Sequence, residues 1–193
     1  AVTSDGVVAA FRDRSPREIR DISISRLENG AWTDARPLHV DGWEINACPV
    51  NGPAVSARGR QVAAAWFTGK DDRGRAYAAF SSDAGRSWGE PLRLDDGTAL
   101  GHVDVELLED GSAAATWVEF AEGRARLRVR RVERSGARSA SVEIAGASGG
   151  RVVGYPRLAR TGEELVFVWT EGGETPGGPE RIRGAVARIP HRP

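Results

Sequence analysis

Short apolar runs ending in an aromatic residue recur along the chain: Val7-Val8-Ala9-Ala10-Phe11, Val62-Ala63-Ala64-Ala65-Trp66, Ala113-Ala114-Ala115-Thr116-Trp117 and Leu165-Val166-Phe167-Val168-Trp169. Their spacing is roughly 52 residues, the scale of a repeated supersecondary unit. A turn precedes each run, at Ser4-Asp5-Gly6, Ala57-Arg58-Gly59, Glu109-Asp110-Gly111 and Arg160-Thr161-Gly162. Asp-Gly or a similar pair between apolar segments signals a hairpin, and runs this brief do not sustain a helix alone. The pattern predicts four equivalent hairpins in an all-β chain.

The second repeat reads completely, with strand A over Pro53 to Ala57, strand B over Gln61 to Phe67, strand C over Ala76 to Ser81 and strand D over Ser87 to Leu94. In the first, Ile22-Ser23-Ile24-Ser25 alternates as a strand C should. The third interleaves Leu127, Val129 and Val132 with Arg126, Arg128, Arg130 and Arg131, which predicts an outer strand with solvated arginines and a turn at Glu133-Arg134-Ser135-Gly136. Arg157 to Ala159, Leu165 to Trp169 and Ile182 to Ile189 form the fourth. The fold class is therefore an all-β β-propeller of four-stranded antiparallel blades, with about four blades over residues 1–40, 50–96, 101–145 and 155–190 of a single domain, 1–193. Most of the first strand A and the last strand D are missing from this pattern. Because unpaired edges invite aggregation, the expectation is the C-terminal portion of a longer propeller, completed by missing blades of the same protein or by another copy. A closed four-bladed ring is the alternative.

Ser81-Ser82-Asp83-Ala84-Gly85-Arg86-Ser87-Trp88 fits the pattern Ser-x-Asp-x-Gly-x-(Ser/Thr)-Trp throughout. On a tight hairpin Asp83 accepts backbone N–H bonds, Gly85 takes a positive φ, and Trp88 supplies apolar surface. This stretch resembles the Asp-box of sialidase-like (BNR-repeat) β-propellers. Ser25 to Trp32 is a degenerate copy that keeps the Trp and loses the Asp, and the third repeat has none. The resemblance implies a six-bladed ring, a glycan ligand and a box lying away from the active site. It also implies glycoside hydrolysis of the exo-sialidase type, in which a carboxylate serves as acid–base, an activated tyrosine as nucleophile, and arginines hold the substrate carboxylate. The chain has only Tyr77, in strand C away from the expected face, and Tyr155. Gly154-Tyr155-Pro156-Arg157-Leu158 weakly echoes the family's Arg-(Ile/Leu)-Pro element, and catalytic residues stay unassigned.

In a four-stranded meander the A–B and C–D turns share one face, and the B–C and D–A connections share the other. The second face carries long polar connections, including Arg12 to Asp21, Val40 to Asn51, Thr68 to Arg75, Ala145 to Tyr155 and Glu171 to Glu180. Just after the strand B aromatics stand Asp13, Thr68, Glu119 and Glu171. The three carboxylates, Asp13, Glu119 and Glu171, offer acid–base groups or sugar-hydroxyl acceptors, or else pair with nearby arginines. Asp13-Arg14 with Arg20-Asp21 forms a denser set, suited to a carboxylate ligand or to internal bridges. Trp43 reads as a platform for a sugar ring or as a packed plug, with Glu44, Asn46 and Asn51 as hydroxyl readers. His102 and Asp104 point to one side of a strand A, as channel lining or a structural pair. Tyr155 and Arg157 complete the substrate-binding candidates.

Composition narrows the classes. Lys plus Arg and Asp plus Glu stand at 27 each, so no global field favours nucleic acid. The longest apolar stretch falls far short of the ~20 residues of a membrane helix, so no membrane insertion is expected. Cys48 is alone, without the spaced Cys or His partners of a metal site, and reads as a small buried residue. No cofactor and no metal are expected. The Arg-rich, Ala- and Gly-rich composition, with Lys70 the single lysine, suggests a bacterial source with an extracytoplasmic location, and Ala1 a processed or truncated start. The leading reading is a glycan-binding or glycan-processing propeller whose partner is a carbohydrate, with an acidic sugar as one form of it. The competing reading is a noncatalytic interaction scaffold, since propellers host many functions.

Overall fold

The computed structural model describes residues 1–147, 154–172 and 180–188. All four apolar runs are strands, and the described chain forms four antiparallel sheets. Sheet 1 orders β1 (Val2–Thr3), β2 (Gly6–Arg12), β3 (Ile22–Glu28) and β4 (Ala31–Trp32), with β5 (Arg36–Pro37) also pairing β3. Sheet 2 orders β6 (Ala54–Arg58), β7 (Gln61–Thr68), β8 (Arg75–Ser81) and β9 (Leu92–Arg93). Sheet 3 orders β10 (Thr98–Leu107), β11 (Ala113–Ala121), β12 (Arg124–Val132) and β13 (Val142–Ala147). Sheet 4 has β14 (Arg157–Thr161), β15 (Glu164–Glu171) and β16 (Arg181–Arg188) among the described residues. The connections expected over Ala145 to Tyr155 and Glu171 to Glu180 lie largely outside the described residues, as does Ile189.

Strand alternation explains the stacking. Because successive side chains point to opposite faces, Val62, Ala64 and Trp66 of β7 meet Val8, Ile22 and Ile24 of sheet 1, whereas Ala63, Ala65 and Phe67 meet Val105, Ala115 and Trp117 of sheet 3. Ala114, Val118 and Leu127 then pack against Leu165, Phe167 and Trp169 of sheet 4. Alanines let neighbouring sheets approach, and Trp66 and Trp117, both fully buried, fill the remaining space. Each of Trp66, Trp117 and Trp169 faces the preceding sheet, while Phe11 at the equivalent position of sheet 1 is 38 % exposed. Strands β1, β6, β10 and β14 lie successively against one another and so form the inner rim.

The Ser81–Trp88 box, so called for its sequence pattern alone, closes the β8–β9 hairpin and ties sheet 2 to sheet 1. Ser81 Oγ donates to Asp83 Oδ1 (2.7 Å), and the Ser87 N–H and hydroxyl donate to Asp83 Oδ1 and Oδ2 (2.9 and 2.6 Å). Desolvation alone would raise the Asp83 pKa, but the bonds from Ser87, Ser81 and the Arg86 backbone together hold it far below the usual carboxylate range. Gly85 has φ +80°, and a Cβ there would come within 3.1 Å of Val8. Arg86 bonds Asp5 and Glu28 of sheet 1. The expected strand D shortens to Leu92–Arg93, because Ser87 turns back onto the box instead of joining the ladder.

Two sequence expectations change. Arg126 and Arg130 are 7 % and 4 % exposed rather than solvated: Arg126 pairs Glu122 and Glu143, and Arg130 pairs Asp96 while lying over the Trp117 ring. Cys48 is exposed, since it sits in the irregular connection between β5 and β6 instead of a strand facing the core. The first strand A is short: β1 has two residues and pairs only Val2 with Val7 and Thr3 with Gly6.

Candidate functional site

On the long-loop face, the sequence candidates fall into separate groups. Asp13 accepts from the Arg14 N–H and the Ser23 hydroxyl (2.7 and 3.1 Å), while Arg14 and Arg20 both pair Glu18 at 2.7 Å. Asp21 is buried and accepts from the Gly42 and Trp43 N–H groups, fixing the loop that carries Trp43. Trp43 is 7 % exposed, edge-on to Phe67, with the Arg12 guanidinium 4.9 Å above its ring. It is a packed plug, and its faces are taken. Arg12 donates to the carbonyls of Asn51, Arg20 and Phe67, and burial lowers its pKa to about 10, leaving it charged at neutral pH. Glu44 is exposed and bridges Ile19 through the backbone.

Glu119 and Glu171 are each taken up within their own sheets. Glu119 is 2 % exposed, accepts from Trp117 Nε1 (2.9 Å) and pairs Arg128 at 2.7 Å. Glu171 pairs Arg183 on the neighbouring strand. Asp13, Glu119 and Glu171 thus act as local partners, and the structure records no bond that joins them.

A rim at the head of the inner strands brings the remaining candidates together. Asn51 bridges two points of sheet 3, donating to the Leu100 carbonyl and accepting from the His102 N–H (both 3.0 Å). Gly101, at φ +95°, leaves space for it, since a Cβ would lie 2.4 Å from the Asn51 side chain. His102 sits at φ 53°, an unusual conformation for a residue with a side chain, next to an irregularity in the β10–β11 register. Its ring stacks on Tyr155 at 4.3 Å and 23°, its Nδ1 is buried without a partner, and burial lowers its pKa. Tyr155 remains 51 % exposed while its hydroxyl donates to the Val50 carbonyl (2.9 Å). Asp104 accepts from the Leu158 and Val105 N–H groups, with Arg157 at 3.7 Å, and its pKa is raised because burial outweighs these contacts.

Between sheets 1 and 2 lies a cavity of about 480 Å³ that sequence reasoning did not assemble. Its walls include Thr68, Arg75 and Tyr77 of sheet 2, Lys70 and Arg73 of the β7–β8 loop, and His39. Tyr77 therefore belongs to the long-loop face, opposite Trp66 in the ladder and two residues from the β7–β8 loop, and not away from it. His39 Nδ1 lies 2.9 Å from Asp41, whose other oxygen accepts from Trp66 Nε1 at 2.9 Å. Burial, partly offset by these bonds, raises the Asp41 pKa. The single lysine in a chain of arginines was the one sequence signal pointing here. Among the described residues no group of three or more His, Cys, Asp or Glu side chains is placed to hold a metal ion.

No family model matches the sequence, and no curated protein matches it. Solved structures do. A xylan beta-1,4-xylosidase from Bacillus halodurans C-125 is similar over 99 % of this chain and 44 % of its own (TM-score 0.52, 10 % identity). An endo-arabinase from Bacteroides thetaiotaomicron is similar over 97 % of this chain and 76 % of its own (TM-score 0.54, 11 % identity). An alpha-L-arabinofuranosidase from Clostridium thermocellum gives 97 % and 66 % (TM-score 0.53, 11 % identity). The chain spans less than half the length of the xylosidase. These neighbours are β-propeller glycoside hydrolases, a family related to the sialidases but different from them. At such identity the likeness concerns architecture alone: four antiparallel sheets stacked as in a β-propeller.

Proposed function

We propose that this protein binds a glycan on its long-loop face, with the rim at Tyr155, His102 and Arg157 as the contact surface. The observation that carries the reading is Tyr155. Its ring is exposed, yet it is held by stacking on His102 and by its bond to Val50, which gives a rigid aromatic platform of the kind sugar rings stack on. Arg157, exposed alongside, supplies donors for ring hydroxyls or a sugar carboxylate. The similarity to xylosidase and arabinase structures supports a carbohydrate as the ligand class.

Binding is favoured over cleavage. Glycosidases use two carboxyl groups flanking the scissile bond. Asp104 suits the acid role, its protonated form favoured by burial, but Asp13, Glu119 and Glu171 are engaged in their own sheets and Asp21 holds the Trp43 loop. A sialidase-type nucleophile is also unsupported, since among the described residues neither tyrosine is hydrogen-bonded to a carboxylate. Further blades, of the same polypeptide or of a second copy, complete the ring in this reading. They would cover Phe11 and Trp32 on the outer face of sheet 1 and Val168, Ile182 and Val186 on that of sheet 4, all exposed here.

Calorimetric titration with arabino- and xylo-oligosaccharides tests the proposal. Tyr155→Ala should lower affinity by about tenfold, or 1.4 kcal/mol, with the fold retained by circular dichroism. Equal affinity in the variant would move the ligand elsewhere.

A further inference from the structure

We propose that the cavity between sheets 1 and 2 is a separate site for an acidic sugar, a uronate unit whose carboxylate is held by Arg75, Arg73, Lys70 and the Thr68 hydroxyl. Sheets 2 and 3 share a frame, and comparing matched positions shows why this cavity exists. In sheet 3 the position two beyond the buried tryptophan is Glu119, and the residues across the ladder from Trp117 and Glu119 are Arg128 and Arg126. These charges neutralise one another: Glu119 pairs Arg128, and Arg126 pairs Glu122 and Glu143. In sheet 2 the matching residues are Thr68, Tyr77 and Arg75. The carboxylate is replaced by a hydroxyl, the cross-strand arginine by a phenol, and the remaining arginine stays without an anion.

Three cations line the cavity unneutralised. Among the described residues Lys70, Arg73 and Arg75 have no side-chain ion pair, and Arg75 Nη1 donates to the Gly74 and Gly97 carbonyls (3.1 and 3.3 Å). Of the two carboxylates on the wall, Asp41 is committed to His39 and Trp66, and Asp71 is exposed on the same loop as the equally exposed Lys70 and Arg73. Independently, Thr68 is 4 % exposed and its Oγ1 is buried with no hydrogen-bond partner. Such an orphan is destabilising unless an acceptor arrives. A buried donor and three free cations around one hollow call for an anion. The volume and the Tyr77 and Pro91 walls suit a sugar ring better than a bare oxyanion, and the arginine fork suits its carboxylate.

Titration of the whole chain with digalacturonate, galactobiose and inorganic phosphate provides the test. Digalacturonate should bind at least about tenfold more tightly than galactobiose, and more weakly as salt rises. The double variant Lys70→Gln/Arg73→Gln, both on an exposed loop, should lose about tenfold, and Thr68→Val, which keeps the side-chain shape, several-fold. Binding that persists under saturating arabino-oligosaccharide separates this site from the Tyr155 rim. If no neutral glycan binds at all, the rim reading fails while this one stands. Four results would overturn it: equal affinity for galactobiose, phosphate binding without digalacturonate binding, displacement by arabino-oligosaccharide, or wild-type affinity in the double variant.

Discussion

Sheets 2 and 3 put the same ladder to opposite uses. Both bury a tryptophan against the preceding sheet, and both cap its indole N–H with a carboxylate. In sheet 3 the cap is Glu119, two residues along the same strand, and it draws Arg128 in to close the space. In sheet 2 the cap comes from Asp41, far away in sequence, which frees the strand position for Thr68 and leaves a hollow lined by unpaired cations. The apolar frame and the capped indole, common to both, are what the stack requires. The polar position beyond the tryptophan is free to become either mortar or site.

Removing the frame itself should have the largest effect. Trp66→Ala and Trp117→Ala should each cost about 3–5 kcal/mol in urea unfolding, since both indoles are fully buried. A small loss at one of them would break the equivalence of the two sheets. Next, Glu119→Ala should cost about 3 kcal/mol by stranding Arg128 and the Trp117 N–H, whereas Thr68→Ala should change stability far less. Comparable losses would mean that Thr68 is mortar too.

The box separates the two sheets further, because sheet 2 has it and the β12–β13 turn of sheet 3 does not. Asp83→Ala should cost about 2 kcal/mol for the lost charged hydrogen bonds. The folded-state pKa of Asp83 is depressed below the ordinary aspartate value of 3.8, so its contribution is complete above that value and fades as pH falls below it. Acid unfolding of the variant should therefore be flatter below pH 3.8 than that of the parent. The smallest expected change is at Thr68→Val, which removes an unsatisfied buried hydroxyl and should raise stability by up to about 1 kcal/mol.

Much of the frame was legible in the sequence. The four runs, their leading turns and the box each depend on residues close together in the chain, and each appears where periodicity and turn chemistry place it. The outer strands were harder to read. In sheet 2 the last strand has two ladder residues, because the box holds Ser87 away from the sheet. The arginines of β12 alternate as solvated side chains would, and only their long-range partners Asp96, Glu119 and Glu143 show them to be neutralised in the interior. The site suffered most from this limit. Convergence of Asp13, Glu119 and Glu171 was a reasonable inference from equivalent positions, but each had a nearer partner. The hollow at Thr68 depends on Asp41 reaching across 25 residues to cap Trp66, which no local pattern announces.

In the proposed function, ligands bind on the long-loop face and the box face is structural. Amide chemical-shift mapping with arabino-oligosaccharide and digalacturonate tests it most directly. Perturbations should fall on His102, Tyr155 and Arg157 for the neutral glycan and on Thr68, Lys70, Arg73 and Arg75 for the uronate, with Ser81 to Trp88 silent. Shifts concentrated at Asp83, Gly85 and Arg86, with the long loops unmoved, would contradict it.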